Sequence, residues 1–271
     1  MARIEMLAVG KELLIGRTLN TNAHWVGKRL AGMGTMLKEI TTVDDDLVEI
    51  ATAFRTIVRR SPDFLVVMGG LGPTPDDMTL KGVADALGVE LTQSEQALTL
   101  IREHYAKRGL GKMELTPSRI KMATLPAGAQ PLPNATGTAP GIRLTVGRTV
   151  VFCLPGVPVE MRGIFRRSVE PEVKGKLGVL HRRYITMKIE GVFESALAPL
   201  IAEELKRHPG AYVKSHPRGI REGVSRIELD IAVVGGDSAK TDQEGRAIAF
   251  EMQKGVVSMG GRIKASRGLE D

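Results

Sequence analysis

Residues 64–79, FLVVMGGLGPTPDDMT, constrain the fold more than any other stretch of the chain. Phe64 to Met68 are apolar without interruption, the pattern of a parallel strand buried on both faces. Such a strand requires helices above and below its sheet and crossover connections to its neighbours. The flanking sequence supplies both. RIEMLAV (3–9) reads as a strand running into Gly10, and Ala23, Val26, Leu30 and Met33 then recur at helical spacing, with Gly34 to close the helix. MLKEITTV (36–43) reads as a second strand. Asp44–Asp46 offer N-caps to a helix striped by Leu47, Ile50, Ala51, Phe54, Ile57 and Val58. Further helices are expected near 77–87, 94–108 and 158–170, and a hairpin over 143–154 turning at Gly147. Residues 1–175 are thus expected to form a doubly wound, mostly parallel α/β domain.

The pattern changes near Gly175–Gly178, where two glycines among lysines suggest a linker. Beyond it come strand 183–192, helix 194–207, strands 211–216 and 225–234, and helix 238–255. That β-α-β-β-α order predicts a second, smaller α+β domain of the split-βαβ kind over 176–271.

Composition narrows the partners. A single cysteine, Cys153, excludes an intramolecular disulfide and multi-cysteine zinc patterns and points to a reducing cytoplasmic compartment. The longest uncharged run, residues 122–142, holds four prolines and three glycines, so it cannot be a spanning helix and no membrane role is expected. The formal net charge of +7 divides as +4 for residues 1–175 (22 basic, 18 acidic) and +3 for the remainder (16 basic, 13 acidic). With no basic tail and only 4% aromatic residues, nucleic acid is not favoured as a partner. None of the five histidines forms a close ligand pair, which argues against zinc.

Four segments carry the candidate chemistry, three of them placed where a strand ends and a helix begins, the ligand-binding edge of an open α/β sheet. In residues 68–79, Gly69, Gly70 and Gly72 let the backbone approach a ligand closely, and Leu71, Pro73 and Thr74 complete a loop whose amides can cradle a phosphate. Asp76, Asp77 and Thr79 add hard oxygens suited to a divalent cation; the plainer alternative is a tight turn with Asp77 as a helix cap. In VGKELLIGRTLNTN (9–22), Lys11 and Glu12 lie just past the sheet edge, while Asn20 and Asn22 precede a helix that one of them caps. Residues 125–141, with Asn134, Gly137 and Gly141, would alone pass for an ordinary loop. In CLPGVPVEM (153–161), Pro155, Gly156 and Pro158 lead into a helix with Glu160 in its first turn, and Gly156 and the helix amides could hold an anion; the plainer alternative is a Pro-Gly turn with Glu160 set against the helix dipole. Neither a P-loop nor a Gly-x-Gly-x-x-Gly dinucleotide loop is present.

Taken in order, GKELLIGRTLNTN, GGLGPTPDDMT, PNATGTAPG and LPGVPVEM resemble the amino-terminal domain of the CinA (competence/damage-inducible) family, which is similar to the molybdopterin-binding fold of MoaB, MogA and the MoeA central domain. One departure is Lys11, where the family pattern has asparagine. The serine-containing signature of the deamidase domain that follows in many CinA proteins is absent. The resemblance implies a metal-dependent pyrophosphatase acting on ADP-ribose or a related dinucleotide such as FAD, with a molybdopterin-binding or adenylylating role, or a non-catalytic regulatory one, as alternatives. The diphosphate would rest on Gly69–Gly72 and near Gly156, and a Mg, Mn or Co ion, with K as a further candidate, would be held by Asp76 or Asp77. Lys11 or Arg143 would stabilise phosphoryl charge. Asp44 would position the metal or a ribose, Asn20, Asn22 and Asn134 would read ribose or base edges, and Glu12 and Glu160 are the candidate bases. A homodimer or higher homo-oligomer is also implied.

Overall fold

The structure, a computed structural model, describes residues 2–109, 114 and 116–269. It separates into two compact units. The first comprises residues 2–31 and 35–177; the second begins at Gly178 and is joined by Gly32–Gly34.

The first unit opens with β1 (Ile4–Val9), a short α1 (Lys11–Leu14), α2 (Thr21–Gly32), β2 (Leu37–Val43), α3 (Leu47–Arg59), β3 (Phe64–Met68) and α4 (Thr79–Leu87). There follow β4 (Leu91–Gln93), α5 (Glu95–Lys107), α6 (Pro117–Lys121), β5 (Thr124–Pro126), β6 (Gln130–Leu132), and the hairpin β7 (Gly141–Val146) and β8 (Thr149–Leu154). Six strands form one sheet in the order β2-β1-β3-β8-β7-β6. β2, β1, β3 and β8 run parallel, while β7 pairs antiparallel with β8 and β6 antiparallel with β7. The chain leaves β1 toward β2 and returns to β3 on the other side. The carboxyl ends of β1 and β3 therefore flank a topological switch point. Caps follow the sequence: Asp46 accepts from the amides of Val48 and Glu49, Ser94 accepts from Ala97, and Gly88 ends α4 in the left-handed region.

β1 is buried along its whole length, including Glu5. That carboxylate is held by the side chains of Arg3, at 2.8 Å, and Arg60, at 2.9 Å from Nε. A charge in a central strand persists because both of its oxygens are paired.

The final helix of this unit corrects the expected linker. α7 (Pro158–Ile164) continues through a π-helical turn, Phe165–Val169, into α8 (Glu170–Leu177), and Gly175 lies inside the helix. Pro171 has no N–H to bond the Arg167 carbonyl, and the wide turn sits immediately before it.

The second unit contains β9 (His181–Glu190), α9 (Glu194–Arg207), β10 (Tyr212–Arg221), β11 (Val224–Gly235), α10 (Ser238–Ser258) and β12 (Arg262–Arg267). Its antiparallel sheet has the order β10-β11-β9-β12, the split-βαβ arrangement. β10 extends past the expected end at residue 216. Pro217 and Gly219 read as terminators, but β10 is an edge strand, where a missing donor can face outward. β12 was absent from the expected pattern: RIKASR is polar and short, as edge strands are.

Candidate functional site

A cleft of about 580 Å³ opens at the carboxyl ends of β1, β3 and β8. Its floor is backbone. Gly69 follows β3 with φ +100°, and a Cβ there would overlap the carbonyl oxygen of Val9, the last residue of β1. The loops of these two strands thus approach as closely as glycine alone permits. The Gly69 amide donates to Leu154 at the end of β8, at 3.1 Å. Thr79, fully buried at the start of α4, donates its hydroxyl to the Gly69 carbonyl at 2.8 Å and its amide to that of Gly70 at 3.2 Å. With the loop strapped at both ends, the amides of Gly70, Leu71 and Gly72 have no acceptor among the described residues. They are free for an anion.

The other walls are joined to this floor. Asn20 accepts from the Ala23 amide at 2.9 Å and so is the residue that caps α2. Asn22 donates Nδ2 to the Gly156 carbonyl at 2.7 Å, tying α2 to the loop after β8. Its Oδ1 is buried, faces no hydrogen-bond donor, and belongs to a residue lining the cleft. Leu71, Tyr105 and Met122 provide an apolar wall.

Of the residues singled out from sequence, Glu12, Asn20, Asn22, Gly69 to Pro73, Asp76, Asp77, Pro155, Gly156, Pro158 and Glu160 line this one cleft. The others sit behind it. Lys11 is exposed, with Nζ 3.3 Å from Asp44 and its amide 2.8 Å from Asp45, so Lys11 and Asp44 pair with each other at the rim. Asn134 is corrected from a base-reading residue to a brace: Nδ2 donates to Ala139 at 2.8 Å and Glu160 at 2.7 Å, and Oδ1 accepts from the Gly137 amide at 2.9 Å. A Cβ on Gly137 would displace the Glu160 carboxylate from this position. Gly141 sits in β7, where a Cβ would come within 3.2 Å of the Cys153 carbonyl. Arg143 does not line the cleft: both arms of its guanidinium hold Glu172, at 2.7 and 3.0 Å.

Sequence reasoning missed Asp45, Tyr105 and Met122. Asp45 lay in a run of three aspartates whose only visible role was capping. Tyr105 and Met122 come from segments with no ligand motif.

The metal reading also changes. Thr74 donates its amide, at 2.9 Å, and its hydroxyl, at 2.6 Å, to Oδ2 of Asp77, which closes the turn within the loop. Asp76 is left at the surface, and hydrogen bonding from Thr74 and then from its own amide holds its carboxyl below the ordinary range. No group of three or more His, Cys, Asp or Glu with ligating geometry occurs among the described residues. Those residues do not fit an all-protein metal cage. They do fit a cation shared with ligand phosphates, which needs only one or two carboxylates from the protein.

Charge makes the same point. Glu12, Asp45, Asp76, Asp77 and Glu160 line the cleft, and no lysine or arginine does among the described residues.

Comparison with known proteins agrees with this geometry. Residues 5–175 match the family model described as "Probable molybdopterin binding domain". A protein of Pyrobaculum arsenaticum is 41% identical over 265 residues, covering 98% of this chain and 96% of its own. A CinA-like protein of Frankia casuarinae is 44% identical over 211 residues, which are 76% of this chain; the match spans about half (48%) of that longer relative. The crystal structure of CinA from Thermoplasma acidophilum, at 41% identity, overlays with a TM-score of 0.57, covering 62% of this chain and 98% of that one. No helix among the described residues is long and apolar enough to cross a membrane. The chain belongs to the CinA family, and residues 5–175 are its molybdopterin-binding-type domain.

Proposed function

We propose that the cleft binds a phosphorylated pterin of the molybdopterin class, taken up as its divalent-metal complex. The observation that carries the proposal is the pairing of a glycine cradle, its three amides free, with five surrounding carboxylates and no basic side chain. The amides favour a phosphate, while the carboxylates oppose a bare one, so the ligand brings its cation. The heterocycle packs on Leu71, Tyr105 and Met122, and the buried Asn22 Oδ1 accepts one of its N–H groups. Asp76, exposed and ionised, shares the cation.

Fluorescence titration of the protein with molybdopterin tests this. Saturable micromolar binding that weakens at least tenfold on chelating Mg²⁺ is the expected result. Absence of binding would overturn the pterin assignment, and metal-independent binding would overturn the charge argument.

A second reading, hydrolysis of a diphosphate such as that of ADP-ribose or FAD, is favoured by the carboxylates of Glu12 and Glu160 beside the cradle. Either could take a proton from an attacking water. The metal would neutralise phosphate charge; the chain itself holds the diphosphate on Gly70–Gly72, and Asn22 Oδ1 accepts a donor of the ligand such as a ribose hydroxyl. Incubation with each dinucleotide and Mg²⁺, Mn²⁺ or Co²⁺ should release AMP, and Asp76→Asn should abolish release. No turnover with any pair refutes hydrolysis and leaves binding.

A further inference from the structure

We propose that the open face of the β10-β11-β9-β12 sheet binds single-stranded nucleic acid through tyrosine stacking and phosphate contacts. The helices of this unit cover one face only: Ile185, Met187, Ile189, Leu229 and Ile231 pack with Ile248 and Met252 of α10 in one core. Alternate residues of the same strands therefore face away from it.

The inter-strand register sets out what that second face carries. Tyr212 of β10 pairs with Ala232 of β11, which pairs with Tyr184 of β9. Two tyrosines thus flank an alanine across three strands, about 10 Å apart at ordinary strand spacing. Both are substantially exposed, 52% for Tyr212 and 42% for Tyr184, and the guanidinium of Arg182 lies 4.8 Å from the Tyr184 ring centre. Small Ala232 between them leaves room for bases to lie against the rings.

Charge surrounds this row. Arg182, Lys188, Lys214, Arg226, Arg262 and Arg267 occupy the same face by register, against Glu190, Glu228 and Asp230. The acids are already engaged: Glu190 by Arg226 at 3.2 Å, Glu228 by Arg218 at 3.0 Å, and Asp230 by His216 at 3.3 Å and the Thr186 hydroxyl at 2.7 Å. Lys188, Lys214, Arg262 and Arg267 have no carboxylate partner among the described residues. A chain-wide charge count hides this, because alternation along four strands sends these cations to one face. A polyanion with flat, stackable groups matches cations interleaved with exposed tyrosines. An anionic membrane would also meet the cations, and the vesicle arm of the test separates it from the single strands.

The test is fluorescence anisotropy of fluorescein-labelled dT15 and U15 with the full chain across a salt series. Saturable binding is expected, with log K falling by about 0.7 per log salt for each phosphate engaged. Tyr184→Ala and Tyr212→Ala should each weaken binding about tenfold, as loss of one stacked base does. Lys188→Glu with Lys214→Glu should weaken it further and reduce the salt slope by about 1.4. All four side chains are at the surface, and unchanged circular dichroism would verify that the variants fold. Failure of both oligonucleotides to bind at 50 mM salt overturns the proposal. So does binding that ignores both tyrosine changes, or phosphatidylserine vesicles or heparin binding as well as the single strands.

Discussion

Gly69→Ala tests how the cleft floor is built, and its cost can be worked from two separate terms. At φ +100° an L-residue pays roughly 1–2 kcal/mol for its backbone alone. The new Cβ would also overlap the Val9 carbonyl oxygen. Val9 is buried at the end of β1, which is paired with β2 on one side and β3 on the other, so it cannot yield freely. Overpacking of that kind costs about 1–3 kcal/mol. The sum, about 2–5 kcal/mol, is a large part of the roughly 5–15 kcal/mol that holds a domain folded. At about 2–4 °C per kcal/mol, the melting transition should fall by about 4–20 °C. Gly128→Ala is the matched control: its φ is +83°, yet a Cβ there meets no atom within 4 Å. It should show the backbone term only. Urea titrations by circular dichroism, compared at equal m, measure both. If the two variants lose equal stability, the close approach of the β1 and β3 loops contributes nothing and the account of the floor is wrong.

Three further outcomes follow from the same geometry. Gly156→Ala places a Cβ 3.5 Å from the Gly69 Cα, an ordinary contact, so stability should change by less than about 0.5 kcal/mol while the narrowed gap between the loops weakens pterin binding tenfold or more; unchanged affinity would mean that the ligand does not lie between them. Burial alone would raise the Glu5 carboxyl, but hydrogen bonds from Arg60 and Arg3 outweigh it and hold the group below its ordinary value of 4.5. Its contribution is therefore complete above that value and lost as pH falls through the lower folded one. Glu5→Gln should cost about 3 kcal/mol at pH 7 and flatten the acid limb of a melting-temperature profile, and an unaltered profile would contradict the pairing. Burial pushes the Cys153 thiol far up, so a thiol reagent should label it in denaturant and not in the native protein; rapid native labelling would show that β8 is open to solvent.

The parts of the fold that were legible in the sequence are those with one dominant local signal. The apolar run of β3, the stripe and Asp46 cap of α3, and the Gly147 turn each specify an element without help from the rest of the chain. The cleft was legible for a related reason: residues that end a strand and open a helix occur as contiguous motifs, and topology brings their loops together. What failed depends on distant partners. Nothing local distinguishes Asp45, which faces the cleft, from Asp46, which caps α3, or shows that both arms of Arg143 are taken by Glu172. The same holds for Asn134, whose donors and acceptor are consumed by a loop that looked free. α8 persists through Gly175 because the π turn absorbs Pro171, a tertiary accommodation that propensity does not encode.

The distribution of charge ties the cleft to its ligand more tightly than net charge does. The chain is basic overall, with a formal charge of +7, yet no basic side chain among the described residues lines the cleft. A dianionic phosphate beside these carboxylates is repelled by each of them, which opposes the three amide hydrogen bonds of the cradle. One divalent cation on the phosphate cancels its net charge and with it the net repulsion from those carboxylates. The proposed metal dependence of binding rests on the lack of a lining cation among the described residues, and it requires no dedicated metal cage. It also fixes the direction of a simple substitution: replacing Asp76 by asparagine should weaken the metal-loaded ligand and strengthen the chelator-treated one, whereas a glycine loop acting alone would leave both unchanged.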